Sequence, residues 1–376
     1  MAATIADIIR VMEARVPLHL AEDWDNVGLQ VGKMDWPVRS IWIALDPLHD
    51  VVDEACRNDV DLLITHHPLI FQPLKRIDFD TPVGSIIQMA SRHRLAIYAA
   101  HTNLDSAADG INDVLASRIG LTNLNVLVKA KATAMYKLVV YVPAEYEQQV
   151  LDALFETKAG EIGSYTCCSF RSSGKGTFRP GSAAKPFVGK PDEISHTDEI
   201  RLETVVRRED LSAVIEHVRK NHPYETMAYD VYPLLPPETD TRQKHGIGRV
   251  GELGETTELL SFAQSLKKKL ELKFVKVAGK PDLPVRQVAV CSGSGSSLMN
   301  AFFSSGAQVF ISGDLRYHDA REAEAAKLAL IDIGHFASEH LVLEALAQRL
   351  DRALSANGLD VKIEACRLEN DPFIIV

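Results

Sequence analysis

The chain has 376 residues, enough for two domains or for one domain carrying a large insertion. Hydrophobic residues make up 46% and charged residues 24%, the balance of an ordinary globular protein with a substantial core. The net charge is −10 and there is no basic tail or Lys/Arg cluster, which argues against nucleic acid or an anionic membrane as the main partner, though not against a nucleotide substrate.

The five cysteines (Cys56, Cys167, Cys168, Cys291 and Cys366) are scattered and form no C-x-x-C pair. A disulfide framework or thiolate zinc site is therefore not expected, and a reducing compartment fits. The N-terminal "MAATIADIIRVMEARV" reads as an amphipathic helix with acidic residues, not as a secretory signal. No stretch approaches the roughly 18 apolar residues of a membrane span. The expectation is a cytoplasmic, soluble protein.

Along the first 125 residues strand and helix alternate. "SIWIALDP" (40–47) reads as a buried strand, "HDVVDEACRNDV" (49–60) as a helix and "DLLITHHP" (61–68) as the next strand. "TPVGSIIQMASRHR" (81–94) is a helix with Thr81 as cap and Pro82 at its first position. "LAIYAAHTNLD" (95–105) is a strand running into polar residues. This pattern is that of a largely parallel, buried sheet.

Residues from about 130 to 240 read differently. "YKLVVYVP" is a strand, "EYEQQVLDALFETKA" a helix, and "SYTCCSF" and "GTFRP" flank a Gly/Ser turn "RSSGKG" as a hairpin. Cys167 and Cys168 would alternate across that strand, one in the core. "GSAAKPFVGKPDEISHTDE" is a loop, "EIRLETVVRR" a strand, "EDLSAVIEHVRKNH" a helix and "AYDVYPL" a last strand. The order approaches the ferredoxin-like pattern, and the Pro-rich "PLLPPETDTRQK" then returns the chain to the main domain.

The last 130 residues repeat the opening grammar: "RQVAVCSGSG" strand, "SSLMNAFFSSGA" helix, "QVFISGDLRYH" strand, "DAREAEAAKLA" helix, "LALIDIGHFASE" strand. "LLITHHPL" aligns with "VFISGDLR", and "LAIYAAHTNLD" with "LALIDIGHFASE", a weak internal duplication. The expected fold is α/β: a duplicated three-layer core domain over 1–129 plus 242–376, interrupted by an inserted ferredoxin-like α+β domain over 130–241.

The chemistry gathers where the duplicated strands end. His101 is followed four residues later by Asp105, and His335 four residues later by Glu339. If each strand runs into a helical turn, imidazole and carboxylate share one face, at the sheet edge where ligands bind in open α/β folds. His66 and His67 end another strand. The set His66, His67, His101, Asp105, His335 and Glu339 supplies nitrogen and oxygen donors without thiolate. Three His and a carboxylate fill one tetrahedral metal; two bridging carboxylates would hold two. Such donors suit Zn, Fe, Mn, Co or Ni.

Each element has a plainer explanation. A lone His at a strand end is ordinarily a loop residue, and a His-x3-acid pair ordinarily a helix-surface pair. Adjacent imidazoles beside an apolar run carry a desolvation cost that needs a reason, and three such features at one sheet edge favour metal. "CSGSGSS" (291–297) has the look of a phosphate-cradling turn but lacks a full nucleotide motif, so a plain turn is preferred. "DWDNVGLQVG" (23–32) reads as a structural turn. His318 is a candidate proton carrier or an ordinary helix-start residue.

The segments "WDNVGLQVG", "ITHHPLIF", "HTNLDSAADGINDVLA", "GIGRVGEL", "SGSGSS", "SGDLRYHDA" and "DIGHFASE" occur in the order that resembles the NIF-three-like family, also labelled GTP cyclohydrolase I type 2. "CSFRSSGKGTFRP" and "NHPYETMAYDVYPL" resemble the PII/CutA-like insertion of its longer bacterial members. The resemblance implies two divalent metal ions per subunit, held by His66, His67, Asp105, His335 and Glu339 with Glu339 as bridge, and His101 beside them as an outer or variable ligand. It implies a homohexamer with the sites facing an inner cavity. It also implies hydrolytic opening of the guanine imidazole ring, with His101 or His318 shuttling protons. Phosphoester hydrolysis is a neighbouring possibility. The alternative class is a metal-handling or regulatory protein whose inserted domain senses a small molecule.

Overall fold

The computed structural model describes residues 3–130, 135–163, 165–235 and 244–375. The chain divides into two compact units, Met1–Lys131 with Arg242–Val376, and Ala132–Thr241.

The first unit contains two sheets. One is built from β1 (Gly28–Val31), β2 (Ser40–Ala44), β3 (Leu62–Thr65), β4 (Ala96–Ala99) and β15 (Lys362–Ala365), in the order β1-β4-β3-β2-β15. Strands β15, β2, β3 and β4 run parallel, and β1 is antiparallel at the edge. All four residues of β3 and of β4 are buried, as strands covered on both faces must be. The other sheet contains β5 (Thr122–Lys129), β10 (Gly246–Glu258), β11 (Lys276–Ala278), β12 (Pro284–Ser294), β13 (Val309–Gly313) and β14 (Ala329–Asp332), in the order β11-β14-β13-β12-β10-β5. Here β12, β13 and β14 are parallel, and β11 is antiparallel beside β14. Both sheets thus carry an antiparallel edge strand followed by three parallel strands, and β3 and β4 occupy the same places as β13 and β14.

The helices follow their sequence signals. Helix Pro82–His93 starts with the Thr81 hydroxyl accepting from the Gly84 amide at 3.2 Å and with Pro82 at its first position. Helix Ile5–Glu13 begins with a capping box between Thr4 and Asp7 and buries Ile5, Ile8, Ile9 and Met12. That stripe joins Ile41, Ile43, Leu62, Ile64 and residues of helix Val342–Ala356 in one apolar cluster. Each such side chain contributes about 1.5–3 kcal/mol of transfer free energy. A second cluster packs Leu115, Ile119, Phe262 and Leu266 on Val288, Val290, Val309 and Ile331 of the other sheet.

The second unit runs β6 (Met135–Pro143), helix Glu147–Phe155, β7 (Ser169–Phe178), β8 (Ser195–Arg207), helix Arg208–Lys220 and β9 (Tyr229–Leu234). Its sheet order is β7-β8-β6-β9 and every pair is antiparallel. The sequence expectation fails here in three respects. "RSSGKG" is not a turn: residues 169–178 form one strand paired throughout with β8, from Ser169 opposite Thr204 to Phe178 opposite Ser195. The 13-residue β8 supplies a template that a Gly/Ser-rich edge strand can follow, and the reversal is made by residues 179–194. The loop expected up to residue 199 ends earlier, because Ser195–Glu199 belong to β8. Nor do Cys167 and Cys168 alternate across a strand: they precede β7, Cys167 is exposed with φ +58° and Cys168 is half-buried. Most of the Pro-rich return segment, 236–243, lies outside the described residues.

No helix among the described residues is long and apolar enough to cross a membrane.

Candidate metal centre

Strand β3 ends in a bend that brings both of its histidines to one place. On a regular strand neighbouring side chains point to opposite faces. Past Thr65 the chain departs from that rule: the Thr65 hydroxyl donates to the His67 carbonyl at 2.8 Å. The amides of His66 and His67 still reach the Ala44 and Leu45 carbonyls. The two rings stand 5.0 Å apart, centre to centre, inclined at 48°.

The other two histidines arrive on helical turns. His101 caps helix Thr102–Ser106, and the Asp105 amide donates to its carbonyl at 3.1 Å. His335 opens helix His335–His340 after Gly334, and its Nε2 lies 3.1 Å from Glu339 Oε2 one turn on. The His101 ring is 5.1 Å from His66 and 5.5 Å from His67, and His335 is 5.6 Å from His67. Two groups of donors result, His66–His67–His101 and His67–His335–Glu339, each with its donor atoms within 4.8 Å of one another. His67 belongs to both. Asp105 Oδ1 lies 3.8 Å from His66 Nε2, beside these groups. His318 is exposed at the start of helix Tyr317–Ala325, edge-on to Tyr317, and no contact found among the described residues ties it to the cluster.

Each of the four imidazoles has its Nδ1 committed to an oxygen. His66 Nδ1 meets the Ala100 carbonyl at 3.0 Å, His67 meets Asp46 Oδ1 at 2.8 Å, His101 meets Asp25 Oδ1 at 2.9 Å and His335 meets Asp314 Oδ2 at 2.7 Å. A carbonyl can only accept, so His66 carries its proton on Nδ1 and turns Nε2 inward. That atom is fully buried and has no hydrogen-bond partner among the described residues, and the same holds for Glu339 Oε2. The Glu339 oxygen is 3.2 Å from His67 Nε2 and 3.1 Å from His335 Nε2, yet neither approach is directed as a hydrogen bond. Lone pairs of imidazole and carboxylate facing one another need a proton or a cation between them. Imidazoles whose second nitrogen donates to a carboxylate or carbonyl are the usual form of metal-bound histidine. The donor set therefore fits divalent, borderline metal ions.

The electrostatics agree. Burial, the largest influence, favours neutral imidazole at His67, but Asp46 and Glu339 outweigh it and raise the pKa to about 10. For His335 the Glu339 carboxylate comes first and, opposed by burial, lifts it to about 9. Burial raises the pKa of Glu339, but His66, His335 and His67 together carry it well below the ordinary carboxylate value. Asp105 goes the other way: its burial dominates and its carboxyl is raised. Asp25 is held at about 2, since the hydrogen bonds from His101 and Thr102 exceed its desolvation.

Glycines let the second sheet approach this cluster. Gly293 has φ +62°, and a Cβ there would stand 2.3 Å from Glu339 Oε1. Its amide donates to Ser338 Oγ at 2.8 Å, and Ser292 Oγ donates to Asp105 Oδ1 at 3.2 Å. "CSGSGSS" thus abuts the two carboxylates. "DWDN" is more than a turn, because Asp25 orients His101 and Thr102. Sequence patterns alone give Asp46, Asp314 and Glu369 no part in the site, and Asp25 only a place in a turn. Glu369 is buried and accepts the Leu45 and Asp46 amides at 2.7–3.0 Å, fixing the turn that presents Asp46 to His67. The only signal for Asp46 and Asp314 was their place just beyond strand ends.

Comparison with known proteins gives this arrangement a family. The profile of the Duf34/NIF3 (NGG1p interacting factor 3) family matches residues 3–372. The chain belongs to the Duf34/NIF3 family. A curated relative from Bacillus subtilis, called GTP cyclohydrolase 1 type 2 homolog, is 40% identical over 366 residues, 97% of either chain. A relative of the same name from Mycobacterium leprae is 36% identical over 377 residues, 99% of this chain and 96% of its own. Among solved structures, a Bacillus cereus protein related to NIF3 superposes with TM-score 0.69 at 39% identity, with both chains fully covered. Staphylococcus aureus SA1388 superposes with TM-score 0.72 at 29% identity, covering 100% of this chain and 99% of its own.

Proposed function

We propose that this Duf34/NIF3 protein is a dinuclear, metal-dependent hydrolase. The observation that carries the reading is that His66, His67 and His335 have Nδ1 committed to oxygens and their Nε2 atoms converging on Glu339. His66, His67, Asp105, His335 and Glu339 would hold the ions, with Glu339 shared and His101 beside them. Bound divalent ions would supply Lewis acidity, lowering the pKa of a water and polarising the bond to be cleaved. The chain does the rest. Asp46 and Asp314 fix the tautomer and tilt of His67 and His335, while Asp25 does so for His101. Of the two candidate proton carriers the contacts favour His101, whose ring is hydrogen-bonded to Asp25 and lies against the cluster, over the exposed His318.

The relatives' name makes GTP the first substrate to test, with phosphoesters second. The Trp24 ring, 58% exposed and 6.0 Å from His101, supports a planar base beside the centre. We read the corresponding edge strands of the two sheets as an internal duplication. The inserted unit, residues 130–241, we read as ferredoxin-like: its strand and helix order and its sheet order support that. Assembly into a homohexamer in the cytoplasm completes the proposal. The exposed Phe71, Leu74, Ile77 and Phe79 support a surface that another copy covers.

The test is metal content by mass spectrometry together with turnover of GTP and of a phosphoester panel, for the wild type and Glu339→Ala. The wild type is expected to hold two ions per chain and turn over one of these substrates. Glu339→Ala is expected to lose at least one ion and about 100-fold or more of the activity. A protein that binds and exchanges metal but turns over nothing would instead be a metal-handling protein.

A further inference from the structure

The unit Ala132–Thr241 holds a cavity of about 350 Å³ that the metal chemistry leaves unused. Its wall is aromatic on one side: Phe178 from β7, Tyr224 after helix Arg208–Lys220, and Phe187 from the segment joining β7 to β8. The Tyr224 ring lies 6.4 Å from Phe178 at 55° and 6.0 Å from Phe187 at 51°. The three rings are inclined, so they form a concave surface and not a stack.

The same cavity contains the carboxylate of Glu199, held on purpose-shaped backbone. Its Oε1 accepts the Tyr224 hydroxyl at 2.8 Å. It lies over Gly176, where a Cβ would stand 2.3 Å from Oε2, so a side chain there would push the carboxylate aside. Burial, and then the Glu199 contact, push the Tyr224 phenol up to about 12, so it stays a donor to that carboxylate at any physiological pH. The nearby cations are engaged elsewhere: Arg201 and Lys137 both pair with Glu203. Among the described residues no Lys or Arg forms an ion pair with Glu199. Glu225 and Lys185 also line the cavity, giving two carboxylates to one ammonium. Glu225 accepts the Lys185 backbone amide at 3.0 Å.

We propose that this cavity binds a small organic cation, an ammonium on an apolar body, with Phe178, Phe187 and Tyr224 around the charge and Glu199 as its counter-ion. Aromatic faces attract cations through the ring quadrupole, most strongly where water is excluded. A carboxylate among such rings without an internal cation is matched by a ligand that brings one. The proposal stands on residues separate from the metal centre, so neither reading depends on the other.

The experiment is calorimetric titration of the full-length protein with choline, with its uncharged carbon isostere dimethylbutanol, and with benzoate. Choline is expected to give a saturable heat, dimethylbutanol to bind about tenfold more weakly, and benzoate not to bind. Glu199→Gln retains an acceptor for Tyr224 and is expected to weaken choline by about tenfold. Phe187→Ala, at a 43% exposed position where folding is not at stake, is expected to weaken it similarly. Absence of saturable heat with choline would overturn the proposal. So would equal binding of choline and dimethylbutanol, benzoate binding in preference to choline, or choline binding unchanged in both variants.

Discussion

At the candidate metal centre, a bound metal ion would compete with protons for the same atoms. His67 and His335 have pKa values of about 10 and about 9, both above the ordinary imidazole value of 6.5. In the metal-free protein both rings are therefore protonated at neutral pH and pair with Glu339. A folded-state pKa raised above the unfolded one gives stability that is fully present below pH 6.5 and lost as pH rises through about 9 and then about 10. A divalent ion needs these nitrogens bare, so binding must expel the protons. Zinc titrations at pH 7 in buffers of different ionisation enthalpy should show proton release by these rings, which falls as pH rises through about 9 and then about 10. Zinc binding at pH 7 with no proton release would contradict the assigned ligands. The residues that hold protons here were readable in the sequence, because His-x3-carboxylate and His-His are patterns local to a few residues. Their supports were not. Asp25, Asp46 and Asp314 act on histidines that lie 76, 21 and 21 positions away, and an aspartate after a strand is indistinguishable from a turn residue until the fold brings its partner.

Elements are held in register by one buried cation. Arg249 of β10 is 2% exposed, and its guanidinium makes two 2.7 Å bonds to Asp113 on helix Ile111–Ile119. It also donates to the carbonyls of Gly246, Gly248 and Ala107. The Ala107 carbonyl lies just beyond the helix that carries Asp105, so Arg249 ties β10, next to the edge of the second sheet, to the turn presenting a candidate ligand. Removing one partner of such a pair leaves an uncompensated charge and typically costs about 3–5 kcal/mol. Arg249→Ala should lower the urea unfolding free energy by that much. A loss below about 1 kcal/mol would rank the pair with surface bridges. Element identity was largely legible: hydrophobic runs gave β2, β3, β4 and β13, and Thr81-Pro82 marked a helix start. The turn expected at residues 171–176 shows the limit of local rules. Glycines there read as a turn, but they lie on a paired strand, and Gly176 leaves room for the Glu199 carboxylate, a neighbour visible only once β8 is paired.

For the whole molecule, the question is whether the inserted unit is needed to build the candidate metal centre. The chain leaves the first unit at the end of β5 and returns at the start of β10, and these strands are antiparallel neighbours. Lys129 pairs with Gly246, and the Ala130 amide donates to the His245 carbonyl at 3.1 Å. The exit and return points are thus already at hairpin distance, where a two-residue Asn-Gly turn can close them. All four imidazoles, Asp105 and Glu339 lie in the first unit, and all the cavity residues named for the organic cation lie in the second. Replacing residues 132–243 by such a turn should leave a folded protein with unchanged metal stoichiometry and no choline binding. Chelator competition and calorimetry on the same preparation read both quantities. If the shortened chain folds by circular dichroism but loses its metal, the insertion is part of the centre and the division of labour between the two units is wrong. If it keeps metal and still binds choline, the organic cation site lies outside the insertion.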